Sequence, residues 1–227
     1  MKILVTIAVF FICAIAVAQE PPSELWFSAS VPVQFGKKHN WQWHNDAGYR
    51  TNGMSVLPHQ YLYRTGLRHS FSKHVNIAAG AALFFTRVSY EKDDDEFGQE
   101  NRLWQELVHQ TNLSSTTLLQ SRFRLEERFF EAVENRAAYT ATRFRFRTSI
   151  TQKLNKKWFA QIADEYMQQA ANDRFQLNQN RLMVAVGRNL LKQMQMQAGY
   201  MWLYRTVSSQ NIFTLSFQKS FGVNGNN

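Results

Sequence analysis

The sequence predicts an all-β protein: an antiparallel up-and-down transmembrane β-barrel of about 10–12 strands that follows a cleaved signal peptide. Three observations lead there. The chain opens on an apolar leader that ends in a small-x-small triplet. Long stretches then alternate apolar and polar residues at period two. The last such stretch is amphipathic and closes on an aromatic residue.

In the leader, Lys2 supplies a positive charge, the segment 3–17 is almost wholly apolar, and Ala16-Val17-Ala18 offers a cleavage site before Gln19. The apolar run is shorter than the roughly 20 residues a membrane-spanning helix needs. This divides the chain into a signal peptide at 1–18, a short N-terminal segment at 19–24, a barrel at 25–221 and a tail at 222–227. Cys13 is the one cysteine, and Ile12 before it is too large for a lipid-modified site, so the mature chain is expected to carry neither a disulfide nor a thiolate metal site.

The clearest strand is 119–129. Arg122, Arg124, Glu126 and Arg128 share one parity, and Leu119, Phe123, Leu125 and Phe129 the other. At 100° per residue those apolar side chains would form no single helix face, whereas on a strand they form one apolar and one charged face. Arg143, Arg145 and Arg147 alternate with Phe144 and Phe146 in the same way. In 212–221, Phe213, Leu215, Phe217 and Phe221 oppose Thr214, Ser216, Gln218 and Ser220, as in the assembly signal of outer-membrane barrels, although six residues follow the final aromatic. Further strands read near 25–35, 41–51, 60–69, 75–90, 100–110, 156–168, 176–188 and 193–205, eleven in all. An odd count does not suit a bacterial single-chain barrel with both ends on one side, which leaves parity open. The connections alternate: short ones at 36–40, 70–74, 111–114, 152–156 and 189–192, longer ones at 51–58, 91–99, 131–137, 169–174 and 206–210.

A soluble barrel would turn its apolar face inward. Two features favour a membrane instead. A barrel this wide cannot fill a dry core with such side chains, but a wet lumen of paired Arg and Glu is workable. Trp41, Trp43, Tyr61, Tyr63, Trp158, Tyr200, Trp202 and Tyr204 gather toward strand ends, where their rings suit the headgroup level. The formal charge of +9, in an exported chain, suits anionic lipid, lipopolysaccharide or an acidic solute better than nucleic acid.

The strongest constellation is the polar ladder. Arg64, Arg68, Arg102, Glu106, Arg122, Arg124, Glu126, Arg128, Arg143, Arg145, Arg147, Glu165 and Arg181 are expected to line the lumen. They make either a structural salt-bridge network or an anion-selecting, substrate-binding interior, since Arg outnumbers Glu and keeps its charge. No nucleophile elbow, metalloprotease helix or phosphate-cradling glycine loop is present, and His39, His44, His59, His69, His74 and His109 make no metal set. No cofactor or metal is expected, and no catalytic residue is assigned. The acidic run Asp93-Asp94-Asp95-Glu96 reads as a solvated outer loop, with divalent cation binding as the alternative.

The stretch 122–128 followed by 143–147, with Glu165, Asn180-Arg181, Gly199-Tyr200-Met201, Trp26 and Tyr49-Arg50, resembles the domain-of-unknown-function 2490 family over about 24–221. The resemblance implies an exported outer-membrane barrel of Gram-negative bacteria and no particular activity. The expected function is accordingly structural, or that of a small-solute pore with an Arg/Glu-lined lumen. Its expected surroundings are outer-membrane lipid and lipopolysaccharide, with the barrel-assembly machinery during insertion, and no protein partner can be named. Two alternatives stand beside it: an outer-membrane enzyme acting on lipid or lipopolysaccharide, and a soluble periplasmic barrel holding an apolar ligand.

Overall fold

The computed structural model describes residues 22–36, 40–90, 96–134, 136–172, 174–191 and 193–222, and these contain no helix. The expected signal peptide lies outside them. The strands are β1 (Ser23–Ser30), β2 (Val33–Phe35), β3 (Trp41–Thr51), β4 (Pro58–Ser70), β5 (Val75–Arg87), β6 (Phe97–Asn112), β7 (Thr117–Phe130), β8 (Tyr139–Lys153), β9 (Trp158–Ala171), β10 (Arg174–Leu191), β11 (Met194–Arg205), β12 (Ser208–Lys219) and β13 (Phe221–Gly222). They form one closed sheet. β1 and β2 are two parts of the first stave, interrupted at Pro32, which has no N–H to give to a ladder. β12 and β13 are likewise two parts of the last. The barrel therefore has eleven staves.

The odd count is resolved at the seam. Consecutive staves pair antiparallel, but β1 pairs parallel with β12, with Ser23 opposite Asn211 and Ser30 opposite Gln218. β2 and β13 continue the parallel pairing through Val33 and Phe221, and Phe221 N donates to Pro32 O at 2.9 Å. The expected all-antiparallel barrel is thus corrected to a mixed one. Eleven passes must bring the first and last staves to the seam pointing the same way. They also put Ser23 and Gly222 at opposite rims. Ser23 lies at the rim of the connections 52–57, 88–96 and 131–138, and Gly222 at the rim of 71–74, 113–116 and 154–157. These are called the loop rim and the turn rim below.

Two connections expected to be long are not. β9 runs to Ala171 and β10 starts at Arg174; β11 ends at Arg205 and β12 starts at Ser208. Polar residues that read as loop are part of the wall: Gln169 Oε1 accepts from Arg128 Nη1 at 2.5 Å. Asn172, at φ 49°, makes the tight turn, a conformation that asparagine tolerates.

Period two sorts the wall into two faces. Leu67, Ile77, Leu103, Leu107, Phe123, Phe146, Ile162, Val184, Phe213 and Leu215 are exposed on the outer face. The inner face carries the charges and two apolar plates. Leu62, Ala78, Ala82, Phe84 and Trp104 make one, and Met201, Leu203 and Ile212 with Trp26 and Met183 make the other. One break in the outer pattern is Asp164, exposed near mid-strand, which accepts from Asn180 Nδ2 at 3.1 Å.

The first plate depends on two glycines. Gly66 and Gly80 face each other across β4 and β5, and the Trp104 indole lies flat over both. A Cβ at Gly80 would come within 2.1 Å of Thr65 O and 2.6 Å of the indole. Trp104 Nε1 donates to Ala81 O at 3.2 Å, which satisfies its one polar atom.

Gly80→Val expels Trp104 from its seat and should cost about 1–3 kcal/mol, as overpacking does, read as a lowered denaturant midpoint with a changed tryptophan emission. Ser28→Cys with Ser216→Cys, opposite each other in the parallel seam, should cross-link on oxidation, because neighbouring strands lie about 4.8 Å apart and within disulfide reach. An unlinked pair in the folded protein would contradict the seam.

Candidate functional site

The site is built from alternate residues of adjacent staves, so strand register decides its chemistry. Glu106 faces Arg124 across β6 and β7, Glu126 faces Arg143 across β7 and β8, and Glu165 faces both Arg147 on β8 and Arg181 on β10. The same register also sets arginines against arginines: Arg102 opposite Arg128, Arg124 opposite Arg145, Arg122 opposite Arg147. Like charges directly opposite repel. Carboxylates placed diagonally answer each repulsion.

Glu126 is the centre. It accepts from Arg143 through Nε at 2.9 Å and through Nη2, and from Arg145 Nη1 at 2.6 Å. Arg102 and Arg124 approach it at 3.7 and 3.6 Å. Glu165 accepts from Arg145 through Nε at 3.0 Å and Nη2 at 2.7 Å, and from Arg122 Nη2 at 2.5 Å, with Arg181 at 3.7 Å. Arg145 thereby bridges the two glutamates. Toward the turn rim, Glu106 takes Arg124 through Nε at 3.0 Å and Nη2 at 2.6 Å and Arg68 at 3.2 Å. Toward the loop rim, Glu100 takes Arg102 Nε at 2.5 Å and Arg128 Nε at 2.6 Å. Arg64 is apart from this network and is held by Asp46 at 2.6 Å. Arg147 touches Gln161 at 3.3 Å. All the residues expected to line the lumen therefore stand on the inner wall, and most of them join one network.

The inner plates complete it. The Arg102 guanidinium lies 3.4 Å over the Phe84 ring and that of Arg124 4.6 Å over Trp104. Both rings belong to the Leu62–Trp104 plate, which gives each cation a flat negative face to rest on.

The network lies at mid-height of the lumen, with a cavity toward each rim. At the loop rim is one of about 710 Å³. At the turn-rim side is one of about 220 Å³, lined by Ser28, Ser30, His44, Asp46, Arg64 and Arg68 among others. In the smaller, buried Nε atoms of Arg68 and Arg122 and Nη1 of Arg124 have no hydrogen-bond partner. His44 Nε2 lies 2.8 Å from Asp46 Oδ1. Ser28 and Ser30 share that cavity, yet among the described residues neither is hydrogen-bonded to His44, so no nucleophile–base pair is assembled. Among the described residues no group of three or more His, Cys, Asp or Glu side chains could hold a metal. Asp93, Asp94 and Asp95 lie outside the described residues. At the loop rim His59 Nδ1 is hydrogen-bonded to the Tyr90 hydroxyl. Burial holds that phenol above its ordinary pKa, which keeps it protonated.

Several inner-wall residues went unmarked in the sequence. Glu24, Arg50 and Glu100 sit near strand ends, Asp46 stands at the middle of β3, and Trp104 and Phe84 are aromatics of the inner parity. Parity was the available signal: Glu100 and Trp104 alternate with the outer Leu103 just as Arg102 and Glu106 do.

The family model described as a protein of unknown function (DUF2490) matches residues 23–214. The chain belongs to the DUF2490 family. The match begins at the first residue of β1 and ends within β12, so every stave that carries the network lies inside it. No curated protein matches the chain. DUF2490 membership brings no activity with it, and the lumen has to be read from its own geometry.

Glu126→Ala should cost about 3–5 kcal/mol, the usual effect of removing one partner from a buried ion pair, because it strands Arg143 and half of Arg145. Glu131→Ala, exposed in the connection 131–138, should move stability by less than about 0.5 kcal/mol. Equal denaturant midpoints for the two variants would count against the network as described.

Proposed function

We propose that this DUF2490 protein is an outer-membrane β-barrel that spans the bilayer with its lumen closed at mid-height, a scaffold rather than an open pore. The observation that carries the reading is the pairing of an outward apolar face around the whole wall with an inward face of buried charge. A soluble barrel has the opposite arrangement. A membrane barrel has this one, with an apolar band about 25 Å tall between aromatic girdles. Trp41 and Trp43 face outward near the turn rim, as does Trp158, and Tyr61, Trp202 and Tyr204 near the loop rim. Trp41 and Tyr49 are eight positions apart on β3, about 20 Å of height once strand tilt is counted. Closure of the sheet leaves no unpaired edge in lipid. Three of the five loop-rim connections, 52–57, 88–96 and 131–138, are longer than any at the turn rim, which favours the loop rim as the outward one.

The closed lumen supports a structural role over conduction. Glu126 and Glu165, each 2% exposed, fill the middle with their arginine partners, and the cavities toward the two rims share no lining residue. Outer-membrane lipid and lipopolysaccharide are then the solvent of the outer face, reached with the help of the barrel-assembly machinery.

Two measurements test this. In cell fractionation the protein should appear in detergent extracts of the outer membrane and change its gel mobility on boiling. A freely soluble band without a shift would return the strands to a soluble barrel. In planar bilayers the wild type should show little or no steady conductance, and large open steps would refute the closed lumen.

A further inference from the structure

We infer that the cavity at the loop rim is a binding site for a multivalent oxyanion of the phosphate class. The inference goes beyond the membrane reading and does not rest on it, since the cavity belongs to the barrel interior wherever the barrel resides.

The charge of this cavity is lopsided. Its lining holds eight arginines against two glutamates, Glu24 and Glu100. Glu100 is already taken by Arg102 and Arg128. Glu24 accepts from two neutral donors, Trp26 Nε1 at 2.8 Å and Gln210 Nε2 at 2.9 Å. Arg50, Arg136 and Arg205 make no ion pair among the described residues. Arg50 is nonetheless held in place: Nη1 donates to Gln60 Oε1 at 2.6 Å, and its guanidinium lies 3.7 Å over the Trp26 ring. Gln60 is itself oriented by donating to Thr86 Oγ1 at 2.5 Å. Arg205 is held by Gln210 Oε1 at 2.8 Å. Arg181 lies 5.2 Å over the same Trp26 ring. The hydrogen-bond partners of Arg50 and Arg205 therefore fix their position without cancelling their charge, and the one carboxylate whose field reaches both is Glu24, a single negative charge against two cations. The mid-lumen network shows the opposite design, in which each glutamate is met by several arginines.

A cleft lined by one sign of charge between low-dielectric walls focuses the field and concentrates ions of the other sign. Guanidinium forks match phosphate oxygens two at a time. A monovalent ion such as chloride would answer one of the three cations and leave the others. A phosphate ester or a pyrophosphate answers several at once. About 710 Å³ lies within the usual range for small-molecule sites. The lining is inner wall and rim, which admits a free phosphate ester or the phosphate of a lipid headgroup reaching over the rim.

The test is titration calorimetry on folded, detergent-solubilised protein with inorganic pyrophosphate at constant ionic strength. Saturable binding with one site per chain is expected. Arg50→Gln with Arg205→Gln should weaken it at least tenfold. These substitutions strand no carboxylate, and retained heat-modifiability certifies the fold. Lys156→Gln with Lys157→Gln removes the same charge at the turn rim and should leave binding intact. Glycerol phosphate and a short-chain phosphatidic acid form two further arms: binding of the first identifies a free ester, and binding of the second alone identifies a headgroup. No saturable heat with any of the three probes, equal weakening by the lysine pair, or displacement by chloride at matched ionic strength would overturn the site.

Discussion

A carboxylate buried among eleven staves of sheet can exist only if cations reach it, and that requirement governs the rest of the barrel. Glu126 and Glu165 are at mid-lumen, far from either mouth, and desolvating such a charge alone would cost several kcal/mol. Their partners come from four different staves: Arg102 on β6, Arg122 and Arg124 on β7, Arg143 and Arg145 on β8, Arg181 on β10. A slip of one residue on any of these strands would turn the charges outward and bring outer-face residues such as Leu103, Phe123, Phe144 or Leu182 into their place. The network is therefore better understood as a device for register than as a net source of stability, since buried ion pairs gain little over a well-packed apolar core.

The same requirement explains which parts of the fold could be read from the sequence. The alternation in 122–128 and 143–147 was readable because charges of one parity cannot share a helix face, and no tertiary information is needed to see it. The residues it marked stand together in the lumen. The parallel seam was not readable in the same way. Strand pattern is identical whichever way a neighbour runs, and only the odd count hinted that the first and last staves must meet head to head. Polarity misled at 169–174, where Gln169 looks like loop and is in fact a wall residue that accepts from Arg128. Trp104, an aromatic of the inner parity, belongs to the inner face because Gly66 and Gly80 leave it a flat seat, a contact between staves that the sequence pattern does not express.

The inner apolar plates follow from the width of the barrel. Arginine and glutamate alone would leave gaps against a wall of this curvature; the plates at Phe84–Trp104 and Met201–Ile212 fill part of the lumen, and the first orients guanidiniums above it. Charge and apolar packing are thus not segregated to the two faces of the sheet, as simple alternation suggests. The outer face is apolar with the exception of a few residues such as Asp164. The inner face is mixed, and its mixture is spatially ordered.

That order differs between the two ends of the lumen. On the turn-rim side Asp46 and Glu106 answer Arg64, Arg68, Arg122 and Arg124, with His44 joining Asp46. On the loop-rim side the last carboxylate of the network, Glu100, is consumed by its two neighbours, and arginines beyond it are held by amides and an indole. If neutralising the interior were the only constraint, both ends would carry matching acids, because an exposed mouth tolerates a glutamate as readily as an arginine. Both sides hold more arginines than acids, but at the turn-rim side each arginine reaches a carboxylate, whereas at the loop rim Arg50, Arg136 and Arg205 stand outside any ion pair among the described residues. An interior that served stiffness alone would have no physical reason to be polarised along its axis in this way.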